Sequence, residues 1–186
     1  MVTFRIDDRE LQVEEGKTIL EAALDAGIEI PTLCYHKELT PYGACRLCLV
    51  EIVGGGRPGL QASCTYKVTE GLIVKTDTER VGKARKIVFE LLLARCPDSE
   101  KLNMLAQEYG VPDTRIGQKK KGDCILCGLC VRVCAEVVGM HAISFSLRGT
   151  ERRVQTPFDG VSDSCIGCGA CAYLCPTGAI TIEEAY

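Results

Sequence analysis

Residues 124–134 read CILCGLCVRVC and residues 165–175 read CIGCGACAYLC. Both runs have the form C-x2-C-x2-C-x3-C, so the C-terminal half contains an internal repeat. Three thiols at x2 spacing lie on one tight loop and can wrap one face of a compact core. The fourth falls on a following helical turn and reaches a different core. This pattern suits two four-iron cubanes that exchange one ligand each. It groups Cys124, Cys127 and Cys130 with Cys175, and Cys165, Cys168 and Cys171 with Cys134.

Gly128, Gly167 and Gly169 let backbone amides approach the inorganic sulfides, where hydrogen bonds tune potential. Cys175 is followed by Pro176, as the bacterial form of the motif has it. Cys134 is followed by Ala135, a departure that removes no ligand. Structural zinc is the competing reading, but it usually takes two separated C-x2-C-like pairs. A third cysteine at the same short spacing in each run favours the cubane.

Four more cysteines stand upstream: Cys34, Cys45, Cys48 and Cys64, with ten, two and fifteen residues between them. Plant-type [2Fe–2S] ferredoxins use C-x4-C-x2-C and a distant fourth cysteine. The C-x2-C core is shared, while the first interval is longer here. Gly43 and Ala44 beside Cys45 leave space for a buried sulfide. Four spaced cysteines also suit zinc, which stays open on spacing alone.

The segments around these cysteines read as α+β. Val2–Ile6 alternates as a strand, Asp7-Asp8 turns it, and Leu11–Val13 returns. Thr18 with Glu21 forms a capping box ahead of an apolar face of Ile19, Leu20, Ala23 and Leu24, closed by Gly27. Leu47–Val53 is strand-like and ends in the turn Gly54-Gly55-Gly56, and Leu72–Thr76 is a last strand. Two helices follow, 79–95 with Val81, Ala84, Val88, Leu91 and Leu92 at helical spacing, and 99–109. Cys96-Pro97 breaks between them. The hairpin candidates Ile143–Leu147 and Val154–Thr156 separate the two cysteine runs.

The 186 residues are 46% hydrophobic and 25% charged, with no Trp, which describes a globular chain whose core is short of rings. Metal binding can supply part of the missing folding free energy. The net charge of −3 gives no nucleic-acid footprint, and the basic run Lys119–Lys121 reads as a solvated loop. The run 87–94 is too short and too interrupted by Glu90 to cross a bilayer. No secretory leader is expected at the N-terminus. A cytoplasmic setting follows, where clustered cysteines bind metal more readily than they form disulfides. No P-loop or nucleophile–base motif is present, and Gly54-Gly55-Gly56 reads as a turn rather than a phosphate cradle.

The stretches PTLCYHKELTPYGACRLCLVEI (31–52) and GLQASCTYKVTEGLIVKT (59–76) resemble the N-terminal domain of the largest peripheral-arm subunit of respiratory complex I. They equally resemble the diaphorase small subunit of NAD-dependent [NiFe] hydrogenases and the N-terminal region of [FeFe] hydrogenases. CILCGLCVRVCAEVVGMHAISF (124–145) and CIGCGACAYLCPTGAI (165–180) match the dicluster domain of that superfamily. The resemblance implies a β-grasp [2Fe–2S] ferredoxin domain over 1–78, a helical connector over 79–113 and a bacterial-type 2x[4Fe–4S] ferredoxin-like domain over 114–186.

It further implies a hetero-oligomeric electron-transfer subunit without activity of its own. Its partners would be a flavin- and NAD(P)-binding subunit and a second oxidoreductase module, such as a hydrogenase or formate dehydrogenase. A free-standing multi-cluster ferredoxin is the alternative, and a zinc-binding interaction module a third. Relatives hold a further [4Fe–4S] cluster on the connector with one His and three Cys. Here the connector has only Cys96 and no His, so that cluster is expected to be missing and Cys96 to serve packing. His36 and His141 are expected to be structural or exposed.

Overall fold

A computed structural model describes residues 1–117 and 122–182 of the chain. The basic run Lys119–Lys121 lies outside the described residues. The chain forms two compact units, residues 1–33 with 41–89, and residues 34–40 with 90–186.

The first unit is a mixed sheet holding one helix. Strands β1 (Val2–Ile6) and β2 (Arg9–Val13) form a hairpin in which Val2 faces Val13 and Ile6 faces Arg9. Asp7 at φ +53° turns it. Strands β3 (Leu49–Gly54), β4 (Gly59–Ala62) and β5 (Ile73–Lys75) complete the order β2-β1-β5-β3-β4. β1 and β5 run parallel, and every other pairing is antiparallel. This is the β-grasp arrangement.

Helix α1 (Ile19–Asp25) begins at the capping box. The Thr18 side chain accepts from the Glu21 amide, and the Thr18 amide donates to Glu21 Oε2 at 2.8 Å. Its buried face is Ile19, Leu20, Ala22 and Ala23, whereas Leu24 is half exposed. The helix therefore turns Ala22 inward where the sequence pattern favours Leu24. The sheet contributes Phe4, Ile6, Val50, Ile52 and Val74 to the core. Strand β4 is absent from the sequence reading. Its four residues follow Pro58 with only Ala62 fully buried, so it has little alternation to betray it.

Helix α2 (Glu79–Arg95) has the extent expected for it, with residues 79–89 counting in the first unit and 90–95 in the second. Its buried row is Val81, Arg85, Phe89 and Leu93, at successive i+4 positions, while Leu91 is exposed. Arg85 enters this row because its Nη2 donates to the Leu49 carbonyl at 2.7 Å.

In the second unit Pro97 ends the helical path, and α3 (Glu100–Glu108) buries Leu102 and Ala106. Helix α4 (Leu129–Arg132) continues as a π-helical turn over Val133–Val137. Strands β6 (Ser144–Ser146) and β7 (Arg153–Gln155) pair antiparallel, as the hairpin candidates require. Helix α5 (Ala170–Tyr173) closes the second cysteine run. Among the described residues no helix is long and apolar enough to cross a membrane.

Candidate metal centres

The two cysteine runs fold as near copies. Each C-x2-C loop contains a left-handed residue, Leu126 at φ +54° in the first and Gly167 at φ +67° in the second. Each is followed by a glycine in the same region, Gly128 at φ +75° and Gly169 at φ +73°, which starts the short helix. The left-handed turns keep successive thiols on one side of the loop. Leu126 accepts a conformation that costs an L-residue roughly 1–2 kcal/mol. Its sequence gives no signal of this beyond its match to Gly167.

Two cavities result. One, about 370 Å³, is lined by Cys124, Cys127, Cys130 and Cys175, with Cys165 and Cys171 at its wall. The other, about 450 Å³, is lined by Cys134, Cys165, Cys168 and Cys171. Cys134 borders the second and not the first, and Cys175 the first and not the second. Among the described residues no three His, Cys, Asp or Glu side chains are drawn around the point of a single ion.

The environment of these thiols differs. Burial pushes Cys127 up to about 11 and Cys130 up to about 12, so each favours the neutral thiol until a metal takes the proton's place. Burial also raises Cys171. Cys175 is half-buried, and this desolvation acts to raise it, yet the amides of Thr177, Ile180 and Ala179 and the Thr177 hydroxyl outweigh that and hold its pKa below the usual thiol range. The Ala179 amide donates to Cys175 Sγ at 3.2 Å, and the Ala142 amide does the same for Cys134 Sγ at 3.2 Å. The Leu126 amide lies 3.4 Å from Cys124 Sγ. Donors aimed at sulfur stabilise a coordinated thiolate and tune the metal it holds.

In the first unit Cys45, Cys48 and Cys64 are all buried. Arg46 at φ +62° turns the C-x2-C loop between Cys45 and Cys48. The buried Ser63 pins the Cys48 carbonyl through its amide at 3.1 Å and its hydroxyl at 2.8 Å. Cys48 and Cys64 Sγ are thereby held 3.4 Å apart, close to the edge of a tetrahedral metal site. Cys34 is equally buried, on the segment that counts with the second unit. Cys96 is fully buried. His36 Nδ1 accepts from the Glu38 amide at 3.3 Å, and His141 is exposed.

The family model of a 2Fe-2S iron-sulfur cluster binding domain matches residues 1–79, and that of a 4Fe-4S dicluster domain matches 123–179. The structure superimposes on a chain of an NAD+-reducing [NiFe]-hydrogenase solved in the H2-reduced state. The TM-score is 0.83 and the identity 32%, covering 96% of this chain and 86% of that one. The chain belongs to this family of iron–sulfur subunits.

Other members are NADPH-Fe(3+) oxidoreductase subunit alpha of Geobacter sulfurreducens and the NADH-ubiquinone oxidoreductase 75 kDa subunit of Reclinomonas americana, each 36% identical. Both matches cover 97% of this chain, but only 24% of the first relative and 29% of the second. The chain thus spans less than a third of the length of these curated relatives. Cys34, Cys45, Cys48 and Cys64 lie within the first matched domain and the two cysteine runs within the second. Arg132 and Glu136, two residues before and two after Cys134, are not singled out by the motif. Their helical i, i+4 spacing is the available signal.

Proposed function

We propose that the chain relays electrons through one [2Fe–2S] and two [4Fe–4S] clusters, between an NAD(P)-linked flavoprotein and another oxidoreductase module. The ligand sets are Cys34, Cys45, Cys48 and Cys64 for the first, Cys124, Cys127, Cys130 and Cys175 for the second, and Cys134, Cys165, Cys168 and Cys171 for the third. The observation that carries the reading is the pair of cavities: Cys134, Cys165, Cys168 and Cys171 border one, and Cys124, Cys127, Cys130 and Cys175 border the other, together with Cys165 and Cys171. For the [2Fe–2S] set, the support is the domain match over 1–79 and the close Cys48–Cys64 pair.

When bound, such clusters supply one-electron oxidation and reduction. The residues of this chain hold the sulfur ligands, aim amides at them and exclude water from Cys127 and Cys130. The head over 1–78, connector over 79–113 and tail over 114–186 remain the proposed division of labour, in a cytoplasmic complex. The flavoprotein and second module rest on what the relatives are: subunits of NADH- and NADPH-linked oxidoreductases and of a hydrogenase.

Iron and acid-labile sulfide analysis of the anaerobically purified protein should give about ten iron atoms per chain. A total near fourteen would mean that the connector holds a cluster after all. A colourless protein with zinc and no sulfide would leave the interaction-module reading in its place. Size-exclusion of native extract should show the chain with a flavoprotein. A monomer alone would favour the free-standing ferredoxin.

A further inference from the structure

Within the second unit, the segment Cys34–Thr40 is tied to the helix that leaves the first cysteine run. The Arg132 guanidinium donates from Nη2 to the Cys34 carbonyl at 2.7 Å and from Nη1 to the Thr40 carbonyl at 2.5 Å. One planar fork thus spans both ends of the segment. Glu136 Oε2 accepts the Thr40 amide at 2.7 Å. Both backbone groups of Thr40 are therefore held by the same helix, one by a cation and one by an anion. Charge-assisted bonds of this kind are roughly twice as strong as neutral ones.

The helix reaches Glu136 because it does not stop at Cys134. It passes into the π-helical turn, in which the Val138 amide donates to the Val133 carbonyl at 3.0 Å. Ala135 permits this, since proline there would lose its amide donor and clash with the preceding turn. The second run shows the other outcome: Cys175-Pro176 follows α5, which ends at Tyr173. The departure from the repeat at Ala135 is thus what presents Glu136 alongside Arg132. A π-helical turn inserted in an α-helix frequently marks a functional site.

We propose that Arg132 is a positioning residue for the [2Fe–2S] site: with Glu136 it staples Cys34–Thr40, and it sets a permanent positive charge against the backbone of the ligand Cys34. The proposal rests on Cys34 being a [2Fe–2S] ligand. Arginine stays protonated at any working pH, so the charge is constant. Reduction of an iron–sulfur site adds one negative charge, and a neighbouring cation stabilises the reduced form. Arg132 therefore raises the reduction potential of that site. It stands between Cys130 and Cys134, so the residue that fixes Cys34 is built into the loop that holds both cubanes.

The test uses the full chain, purified anaerobically, as wild type, Arg132→Gln and Arg132→Lys. Each is assayed for iron and sulfide, for the midpoint of the [2Fe–2S] EPR signal, and for amide exchange over residues 34–40. Arg132→Gln should keep the wild-type iron and weaken reduction of the [2Fe–2S] site about tenfold, a fall of about 59 mV for a one-electron couple. The segment should exchange faster. Arg132→Lys should restore most of the potential but not the protection, because one ammonium cannot bridge both carbonyls.

A midpoint in Arg132→Gln equal to wild type overturns the electrostatic role. A wild type without a [2Fe–2S] signal overturns the ligand assignment itself, which is a separate failure. Should Arg132→Gln fail to take up iron, Glu136→Ala carries the test, as it frees the Thr40 amide and leaves the cation in place. Faster exchange over 34–40 then supports the staple, and unchanged protection overturns it.

Discussion

Gly55 sits at φ +69°, and a Cβ on it would stand 2.0 Å from the Gly71 carbonyl oxygen. The turn after β3 can close only with a bare backbone there. Gly27, at the same φ, faces open space. The two separate conformational strain from steric conflict. Gly27→Ala should lower the thermal midpoint by about 2–4 °C, the strain of one left-handed residue in a chain of this size. Gly55→Ala should lower it by more than about 6 °C, since the backbone must also move. Equal shifts measured by circular dichroism would contradict the close approach. The glycine triplet announces a turn in the sequence. Which glycine is indispensable depends on Gly71, sixteen residues away, and no local pattern records that.

The helix formed by α4 and its π-helical continuation shows how one side chain alters an element. Its twin, α5, has the same cysteine spacing and ends at Tyr173 ahead of Pro176. Ala135→Pro should impose that ending on the first run. All four ligands of the run remain, so the iron content should stay at the wild-type value. Amide exchange over residues 34–40 should rise, because Glu136 loses its place opposite the Thr40 amide. A protected segment in Ala135→Pro would show that the helix does not depend on that amide. The repeat itself, the capping box at Thr18 and the extents of α2 and α3 are legible from residue spacing. The π-helical turn is not, because the absence of a proline at 135 only permits the helix to continue, and its π-helical course appears only in the backbone.

For the molecule as a whole, the cysteine inventory sets the capacity of the chain. Twelve of the thirteen cysteines fall in the three proposed ligand sets, and Cys96 is left in the connector. Its thiol is pushed up to about 12 by burial, and its amide donates to the Leu92 carbonyl at 2.8 Å, closing the end of α2. Such a thiol is protonated at neutral pH and is a poor nucleophile. Cys96→Ala should therefore leave iron and sulfide unchanged and cost about 1 kcal/mol of packing. A loss of about four iron atoms in that variant would place a cluster on the connector.

The repeat of the tail cysteines and its expected crosswise grouping follow from residue spacing, because chain geometry allows few arrangements of cysteines so close in sequence. The β-grasp head and its [2Fe–2S] set are expected from the family resemblance, since spacing alone leaves zinc open there. Other features depend on residues far apart in the chain. The Cys48–Cys64 approach needs Ser63 on the Cys48 carbonyl, and the buried row of α2 needs Arg85 on the Leu49 carbonyl. The hold of Arg132 and Glu136 on Cys34 and Thr40 joins residues more than ninety positions apart. Hydrogen bonds of this kind are chosen by proximity in space, and the linear pattern of residue types carries no trace of them.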